Sequence, residues 1–532
     1  MSDPVVTISG LSISLPRGGD RPFAVQDVSF AVNPGETLCL VGESGSGKSV
    51  VAQAVMGMLP PQLAKTAGTV TFQGAVLPEQ RDPAYGRLRS AKMAMIFQDA
   101  GASLDPLIRV GDQLSEIARV HGLSRSAAQV RVDEMLGAVR LPDPGRIARS
   151  YPHQLSGGQA QRIVIAGALL LNPALLIADE PTTALDVTTQ AEILTLIADL
   201  QRERGTAVLF ITHDFGVVSD IADRIVVMQA GQIVEQGSAA QVLGAPQHPY
   251  TTALLAAATK QGAPRNRGQS SPILSAHGIT LTYHLGGPFN RRTVQAVQDV
   301  SLTLAKGRTL AVVGESGSGK SSLARCLLRL EPFQAGTITF DGQDITRTTG
   351  SDLRALRKRI QVVLQDPFGA LNPRQTVGAA IAEGPIIHGK PWAQAMQRAE
   401  ELLALVKLPP QSLSRHPHEF SGGQRQRICI ARALALNPEV LIADEAVSAL
   451  DVSVQAQILD LFADLQQRLG FAMVFITHDL RVARAIADDV IVMQDGRVIE
   501  QGSVEQVFDA PAAAYTRALL NAAPGRALQG AA

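Results

Sequence analysis

Gly42-Glu43-Ser44-Gly45-Ser46-Gly47-Lys48-Ser49 is a stretch that this 532-residue chain carries twice, the second copy being Gly314-Glu315-Ser316-Gly317-Ser318-Gly319-Lys320-Ser321. Each copy follows a short apolar run, Thr37 to Val41 or Thr309 to Val313, and precedes a segment of helical character. Strand, glycine-rich turn and helix in that order are the context of a phosphate-binding P-loop. The glycines let the backbone turn tightly, so that successive N–H groups and the helix N-terminus point at phosphate oxygens. Lys48 and Lys320 are expected to reach the β- and γ-phosphates, and the Ser49 and Ser321 hydroxyls to bind Mg²⁺. One such turn arises easily by accident; an identical pair in matching contexts does not. The chain is expected to bind a nucleoside triphosphate twice.

A chain this long exceeds one hydrophobic core, so two or more domains follow. Apolar content of 45% with 18% charge suits a folded α/β protein and argues against general disorder. Forty-eight basic residues balance forty-eight acidic ones, so no overall field favours nucleic acid or an anionic membrane. Met1-Ser2-Asp3-Pro4 has neither the basic nor the apolar region of a signal peptide, and no apolar run approaches the roughly 18–20 residues of a membrane span. A membrane role is therefore expected to work through partners. Cys39, Cys326 and Cys429 each sit in an apolar segment without a close cysteine neighbour. They read as small core residues in a reducing compartment.

From the start, Val5 to Val32 holds alternating apolar runs broken by Pro16-Arg17-Gly18-Gly19-Asp20, a pattern of antiparallel strands around a loop. The P-loop helix is expected over Lys48 to Met58, stopping before Pro60-Pro61. Strands are expected at Thr69 to Phe72 and at Met93 to Phe97, the second ending at Gln98. Helical periodicity runs from Leu104 to Arg149, with breaks at Pro142 and Pro144. Leu155-Ser156-Gly157-Gly158-Gln159 then opens a helix toward Leu171, a second place where exposed N–H groups face outward. Seen alone, the pentapeptide is equally an ordinary helix start. The run Ala174 to Ala178 ends in Asp179-Glu180, at the end of a parallel strand where open α/β sheets place ligands. Thr206 to Thr212 ends at His213, and Ile225 to Met228 with Ile233 to Glu235 reads as a hairpin.

Between Ala258 and Pro272 the composition shifts to Gly, Pro, Ser, Arg and Gln, as a linker does. Everything then recurs. Gln98 is matched by Gln365, Ser156 by Ser421, Asp179-Glu180 by Asp444-Glu445, and His213 by His478. The offset is 314 − 42 = 272 at the P-loop, and 421 − 156 = 478 − 213 = 265 from the glycine pair onward. Insertions are confined to the middle stretch. The expected organisation is a first domain over 1–258, a linker over 259–271 and a second domain over 272–532.

These residues resemble the ATP-binding cassette of ABC transporters over nearly the whole of both halves. The resemblance rests on the P-loops (Walker A), the Q-loop glutamines Gln98 and Gln365, and the signatures 155–159 and Phe420-Ser421-Gly422-Gly423-Gln424. It rests also on the Walker B runs ending at Asp179 and Asp444, the D-loops Ala184-Leu185-Asp186 and Ala449-Leu450-Asp451, and the histidines His213 and His478. It implies a tandem α/β P-loop NTPase, each half with a RecA-like core, an antiparallel β subdomain and a helical subdomain. Finer features resemble the dipeptide/oligopeptide importers with both ATPases on one chain. These are Tyr151-Pro152-His153-Gln154 and His416-Pro417-His418-Glu419 before the signatures, Ala370-Leu371-Asn372-Pro373, and His248-Pro249-Tyr250-Thr251 with Leu254-Leu255, echoed by Tyr515-Thr516 with Leu519-Leu520. The wording Asp444-Glu445-Ala446-Val447-Ser448 resembles glutathione and peptide importers.

The resemblance assigns roles. ATP is held by the P-loops, with Gln98, Gln365, Asp179 and Asp444 completing the Mg²⁺ shells around Ser49 and Ser321. Glu180 and Glu445 polarise the attacking water, and His213 and His478 contact the γ-phosphate. Ser156, Gly157, Gly158 and Gln159 of one half and Ser421, Gly422, Gly423 and Gln424 of the other close the opposite half's nucleotide, making an intramolecular dimer of two composite sites. Tyr283 stacks on adenine in the second half; the matching residue of the first is Leu15, with Phe23 as a substitute. Ala160 stands where Arg425 stands in the second copy. With no cysteine beyond Cys429, no iron–sulfur cluster is expected. Expected partners are two permease subunits and, through them, a solute-binding protein, with the chain peripheral on the cytoplasmic face of the membrane and no nucleic acid bound. The His416/His418 pair reads as capping or packing, 254–258 as a packed helix, and Arg354, Arg357, Lys358 and Arg359 as a solvated face. A soluble tandem-cassette factor acting on ribosomes or nucleic acid is the competing class. Such factors usually carry a long charged arm between cassettes, whereas the connector here is short.

Overall fold

The computed structural model describes residues 3–16, 21–80, 82–89, 91–182, 185–259, 270–285 and 292–525. Part of the loop after Pro16, Ala184 of the first D-loop and most of the linker lie outside them. The chain separates into two compact units: residues up to Leu185, Thr189–Thr259 and Pro524 onward form one, Asp186–Thr188 and Lys260–Ala523 the other. Among the described residues each unit holds one six-stranded and one four-stranded sheet.

In the first unit the six strands run, edge to edge, Gln232–Ser238, Arg224–Gln229, Thr37–Val41, Ala207–Thr212, Leu175–Asp179 and Met93–Ile96. All neighbours are parallel except the terminal hairpin. The central strands Thr-Leu-Cys-Leu-Val, Leu-Leu-Ile-Ala-Asp and Ala-Val-Leu-Phe-Ile-Thr are buried along their whole length, because layers cover both faces of a parallel sheet. Alternate side chains divide between two cores: Cys39 and Val41 face one, Leu38 and Leu40 the other. The four-stranded antiparallel sheet runs Phe23–Val32, Val6–Ser14, Ala64–Phe72 and Ala75–Val76 and packs into the second of these cores.

The helical stretch resolves into Val110–Val120, Arg125–Ala138 and Pro144–Ala148. Ala128, Val132, Met135 and Leu136 fall on one helical face and pack into the core that holds the signature helix Gly157–Leu169. The P-loop helix spans Lys48–Val55, shorter than the sequence suggests, since Gly57 turns the chain with φ +60°. The strand expected at Thr69 begins five residues earlier, at Ala64, where exposed residues give no apolar alternation to read.

The second unit repeats the order: Arg497–Ser503, Asp489–Gln494, Thr309–Val313, Ala472–Thr477, Val440–Asp444 and Ile360–Val363. Its antiparallel sheet pairs Arg292–Ala305, Pro272–Leu285, Ala335–Phe340 and Gln343–Asp344. Of the basic run, Arg354, Arg357 and Lys358 are exposed as expected. Arg359 is not simply solvated: it bonds Glu439 at 2.5 and 2.9 Å and Asp341 at 3.1 Å, above the Phe340 ring. The three thiols are buried, and burial pushes Cys429 up to about 11. His416 and His418 stack on each other at 5.8 Å, the packing role their position suggests. Among the described residues no helix is long and apolar enough to cross a membrane.

Candidate active sites

Strand register brings the chemistry together. Val41 lies level with Thr212, and Asp179 with Ile211, so three neighbouring parallel strands release Gly42, His213 and Glu180 at one edge of the sheet. The Glu180 amide donates to Ile211 O at 2.9 Å, and its backbone takes φ +49°, a left-handed conformation rarely spent on glutamate. Glu445 does the same, with φ +48° and its amide on Ile476 O at 2.9 Å.

In both P-loops the first glycine is a steric necessity. A Cβ on Gly42 would lie 2.2 Å from Met228 O, and one on Gly314 2.2 Å from Met493 O, both at positive φ. The helices at Lys48 and Lys320 start behind left-handed glycines without any side-chain cap. The buried ammonium of Lys48 donates to Gly42 O (2.7 Å), Glu43 O (2.8 Å) and Ser46 Oγ (3.4 Å), and Lys320 repeats these contacts with Gly314, Glu315 and Ser318. Burial lowers the Lys320 pKa against the pull of Glu445 and Asp444. An ammonium and an uncapped helix start around a tight turn form the donor set a triphosphate requires.

Ser49 Oγ donates to Asp179 Oδ1 at 3.1 Å, and Ser321 Oγ to Asp444 Oδ1 at 3.0 Å. Burial raises both aspartates, while the serine hydroxyls pull them back. A hydroxyl and a carboxylate in contact are hard oxygen donors that fit Mg²⁺. The neighbouring glutamates belong to a different group. Glu180 accepts from Gln98 Nε2 at 3.0 Å and meets His213 Nδ1 at 3.0 Å. Glu445 accepts from Gln365 Nε2 at 2.9 Å and lies 3.5 Å from His478 Nδ1. Gln98 and Gln365 thus rest on the glutamates rather than on the serine–aspartate pairs.

The signature residues make a different local structure. Ser156 accepts from the Gln159 amide at 3.3 Å while Gln159 Oε1 accepts from the Ser156 amide at 3.1 Å, and Ser421 with Gln424 does likewise. This capping box is an ordinary helix start, yet each serine keeps an O–H to donate. Gly158 and Gly423 are needed for contact: a Cβ would meet Thr189 Cγ2 at 2.6 Å and Val454 Cγ1 at 2.4 Å. Gly157 and Gly422 have ordinary room beside Leu185 and Leu450. In the loops Gly45 and Gly317 face open space, while Gly47 and Gly319 press on Ala24 O and Ala296 O. Ser44 and Ser316 are exposed. Tyr283 packs against the core of the antiparallel sheet, and its buried hydroxyl has no partner among the described residues. Leu15 packs on the equivalent core of the first unit.

Three contacts escape the motifs. Arg21 donates to Gly45 O, from beside the loop after Pro16. Tyr250 and Tyr515 each accept the amide of the second P-loop residue, from Glu43 at 3.1 Å and Glu315 at 3.4 Å. They lie 207 and 200 residues away in sequence, so only the recurrence of Tyr-Thr in both tails could have hinted at them.

The family profile described as ABC transporter matches residues 25–183 and 297–448, and the one described as Oligopeptide/dipeptide transporter, C-terminal region, matches 234–299 and 499–527. The chain is 47% identical over 560 residues to the Glutathione import ATP-binding protein GsiA of Salmonella typhimurium (strain LT2), covering 98% of this chain and 90% of the relative. The proteins of that name from Pectobacterium atrosepticum and Escherichia coli O157:H7 are each 46% identical, covering 98% of this chain and 89% of theirs. Two P-loops on two α/β sheets, matched along nearly the whole chain, make this protein a member of the ABC transporter ATPase family, carrying both cassettes on one polypeptide.

Proposed function

We propose that the chain hydrolyses ATP at two sites to drive import of glutathione or short peptides through membrane permease subunits fed by a solute-binding protein, from the cytoplasmic face. The observation that carries this reading is the twofold convergence of P-loop lysine, serine–aspartate pair and glutamate–histidine pair at adjacent strand ends. The peptide-type tail and the names of the relatives support the solute class. Ser49 with Asp179, and Ser321 with Asp444, hold Mg²⁺, which offsets phosphate charge when bound. Lys48 and Lys320 neutralise the phosphates. Glu180 and Glu445, held by Gln98 or Gln365 on one side and His213 or His478 on the other, accept a hydrogen bond from the attacking water and align it. Tyr283 lies beside adenine in the second half. Ser156 and Ser421, with Gly158 and Gly423, close the nucleotide of the opposite half. This division of labour explains why two copies are retained.

The deciding experiment is steady-state hydrolysis by Glu180→Gln/Glu445→Gln in the full chain: turnover should vanish while ATP is retained. Undiminished turnover removes the catalytic assignment. For the solute, the chain reconstituted with its permeases in vesicles should accumulate labelled glutathione or dipeptide in an ATP-dependent way. Failure with both, alongside intact ATPase activity, removes the solute class alone.

A further inference from the structure

The tail helices Pro249–Ala258 and Ala514–Ala522 are tied down at three points, and each tie recurs in the other unit. At its start, the first tail is gripped by Glu235 on the hairpin strand, whose carboxylate accepts the amides of Gln247 (2.8 Å) and His248 (3.1 Å). Glu500 grips the second through Ala512 (2.7 Å) and Ala513 (3.1 Å). Along its length, Leu254 and Leu255 share a core with Phe215 and Val218 of the helix after His213. Leu519 likewise joins Leu480 and Ala483. The third tie is the tyrosine hydroxyl on the P-loop.

The two tails share Tyr-Thr-x-Ala-Leu-Leu but differ at the helix start: His248 accepts the Tyr250 amide at 3.2 Å, whereas Ala513 occupies that place in the second and offers no cap. The tyrosine contact is kept in both units although the cap beside it is not. The geometry points to Tyr250 and Tyr515 as positioning residues that clamp Glu43 and Glu315, so that the tail of each cassette holds its P-loop in the bend that receives phosphate. The second loop residue then serves the tail rather than the nucleotide. A loop already held loses less freedom on binding, so the clamp acts on affinity and leaves the hydrolytic step alone.

This inference rests on the nucleotide reading of the P-loops. The test is titration of the full chain with a fluorescent ATP analogue and Mg²⁺, together with steady-state kinetics. Tyr250→Phe/Tyr515→Phe should raise Kd and KM for nucleotide about 5- to 20-fold, with kcat within about twofold. Folded tyrosine variants with Kd within twofold of wild type overturn the clamp. If the phenylalanine variants fail to fold, Glu235→Ala/Glu500→Ala, which frees the start of each tail and leaves loop and tyrosine untouched, decides, and an unchanged Kd there overturns the clamp. Wild-type chain that fails to bind the analogue removes the nucleotide reading and the clamp with it.

Discussion

In one half of the molecule Glu36 meets Arg224 at 3.0 Å; in the other, Arg308 meets Asp489 at 3.1 Å. These are equivalent positions, since 36 + 272 = 308 and 224 + 265 = 489. The charges have been exchanged across the same two strands, while the neighbouring bonds that the Thr37 amide donates to Asp223 (2.8 Å) and the Thr309 amide to Asp488 (2.7 Å) are kept. Nothing of the kind happens at the strand ends, where lysine, serine, aspartate, glutamate and histidine are identical in both copies. A pair inside the fold must only be complementary, so either sign will do. A group facing phosphate has no such freedom, because its partner's charge never changes.

That contrast is broken most forcefully at the glutamates. If both strand ends work as the shared geometry implies, Glu180→Gln alone and Glu445→Gln alone should each lower steady-state ATPase activity at least about 100-fold. Coupled phosphate-release assays on both variants check it. One silent variant beside one dead one would show that identical residues conceal unequal sites.

The part of each site carried by contiguous motifs was legible, because glycine loops and strand-end carboxylates announce themselves locally. Apolar runs that stop at Val41, Asp179 and Thr212 marked where three strands end, but only the fold makes those strands neighbours. Long-range choices were not legible. Tyr250 reaches Glu43 across most of a domain, and nothing near either residue names the other. The capping boxes at Ser156 and Ser421 were visible as a possibility, but only the fold shows the Gln159 and Gln424 side chains closing back. Strand Ala64–Phe72 began too early for periodicity to find, since an exposed edge needs no apolar face.

The exchanged ion pair supplies the next test. Glu36→Arg should destabilise the fold by about 1–3 kcal/mol, less than the ~3–5 of a fully buried broken pair, because Arg224 is 35% exposed and water screens it. Glu36→Arg/Arg224→Asp should recover part of the loss, though not all. Glu36 Oε2 also accepts the Asn33 amide at 2.7 Å, which arginine cannot do. Urea unfolding midpoints for the double-mutant cycle check both statements, and an additive cycle would reduce the pair to coincidence.

A smaller effect concerns protons at the second site. Burial lowers the His478 pKa, but Glu445 overcomes it, so the net value lies above 6.5; Glu445 is held below 4.5 against its own burial. The imidazolium contribution is fully present below pH 6.5 and fades as pH rises through the raised value. The carboxylate contribution is present above pH 4.5 and fades as pH falls through the lowered one. The charged pair is therefore complete between about pH 4.5 and 6.5. NMR titration should place the His478 midpoint above 6.5, and Glu445→Gln should lower it, because the pull of Asp479 is then left alone against burial and Lys320.

The smallest expected effect lies beside the signatures. Ala160 in place of Arg425 first looks like a loss, but the arginine has a specific companion: its guanidinium stands 5.1 Å from the centre of the Phe368 ring. Position 368 corresponds to 101, since 365 − 98 = 267 and 368 − 101 = 267, and residue 101 is glycine. The first half therefore lacks both members, leaving no stranded arginine and no orphaned ring. Phe368 is 61% exposed, so the cation–π contact sits in water and is worth about 0.5–1 kcal/mol. Arg425→Ala should cost about that much in urea unfolding, and Phe368→Gly together with it little more. Ala160→Arg on its own should gain nothing. Only Ala160→Arg/Gly101→Phe should show favourable coupling, and equal stability for the single and double transplants would mean that the arginine and the ring are neighbours without being partners.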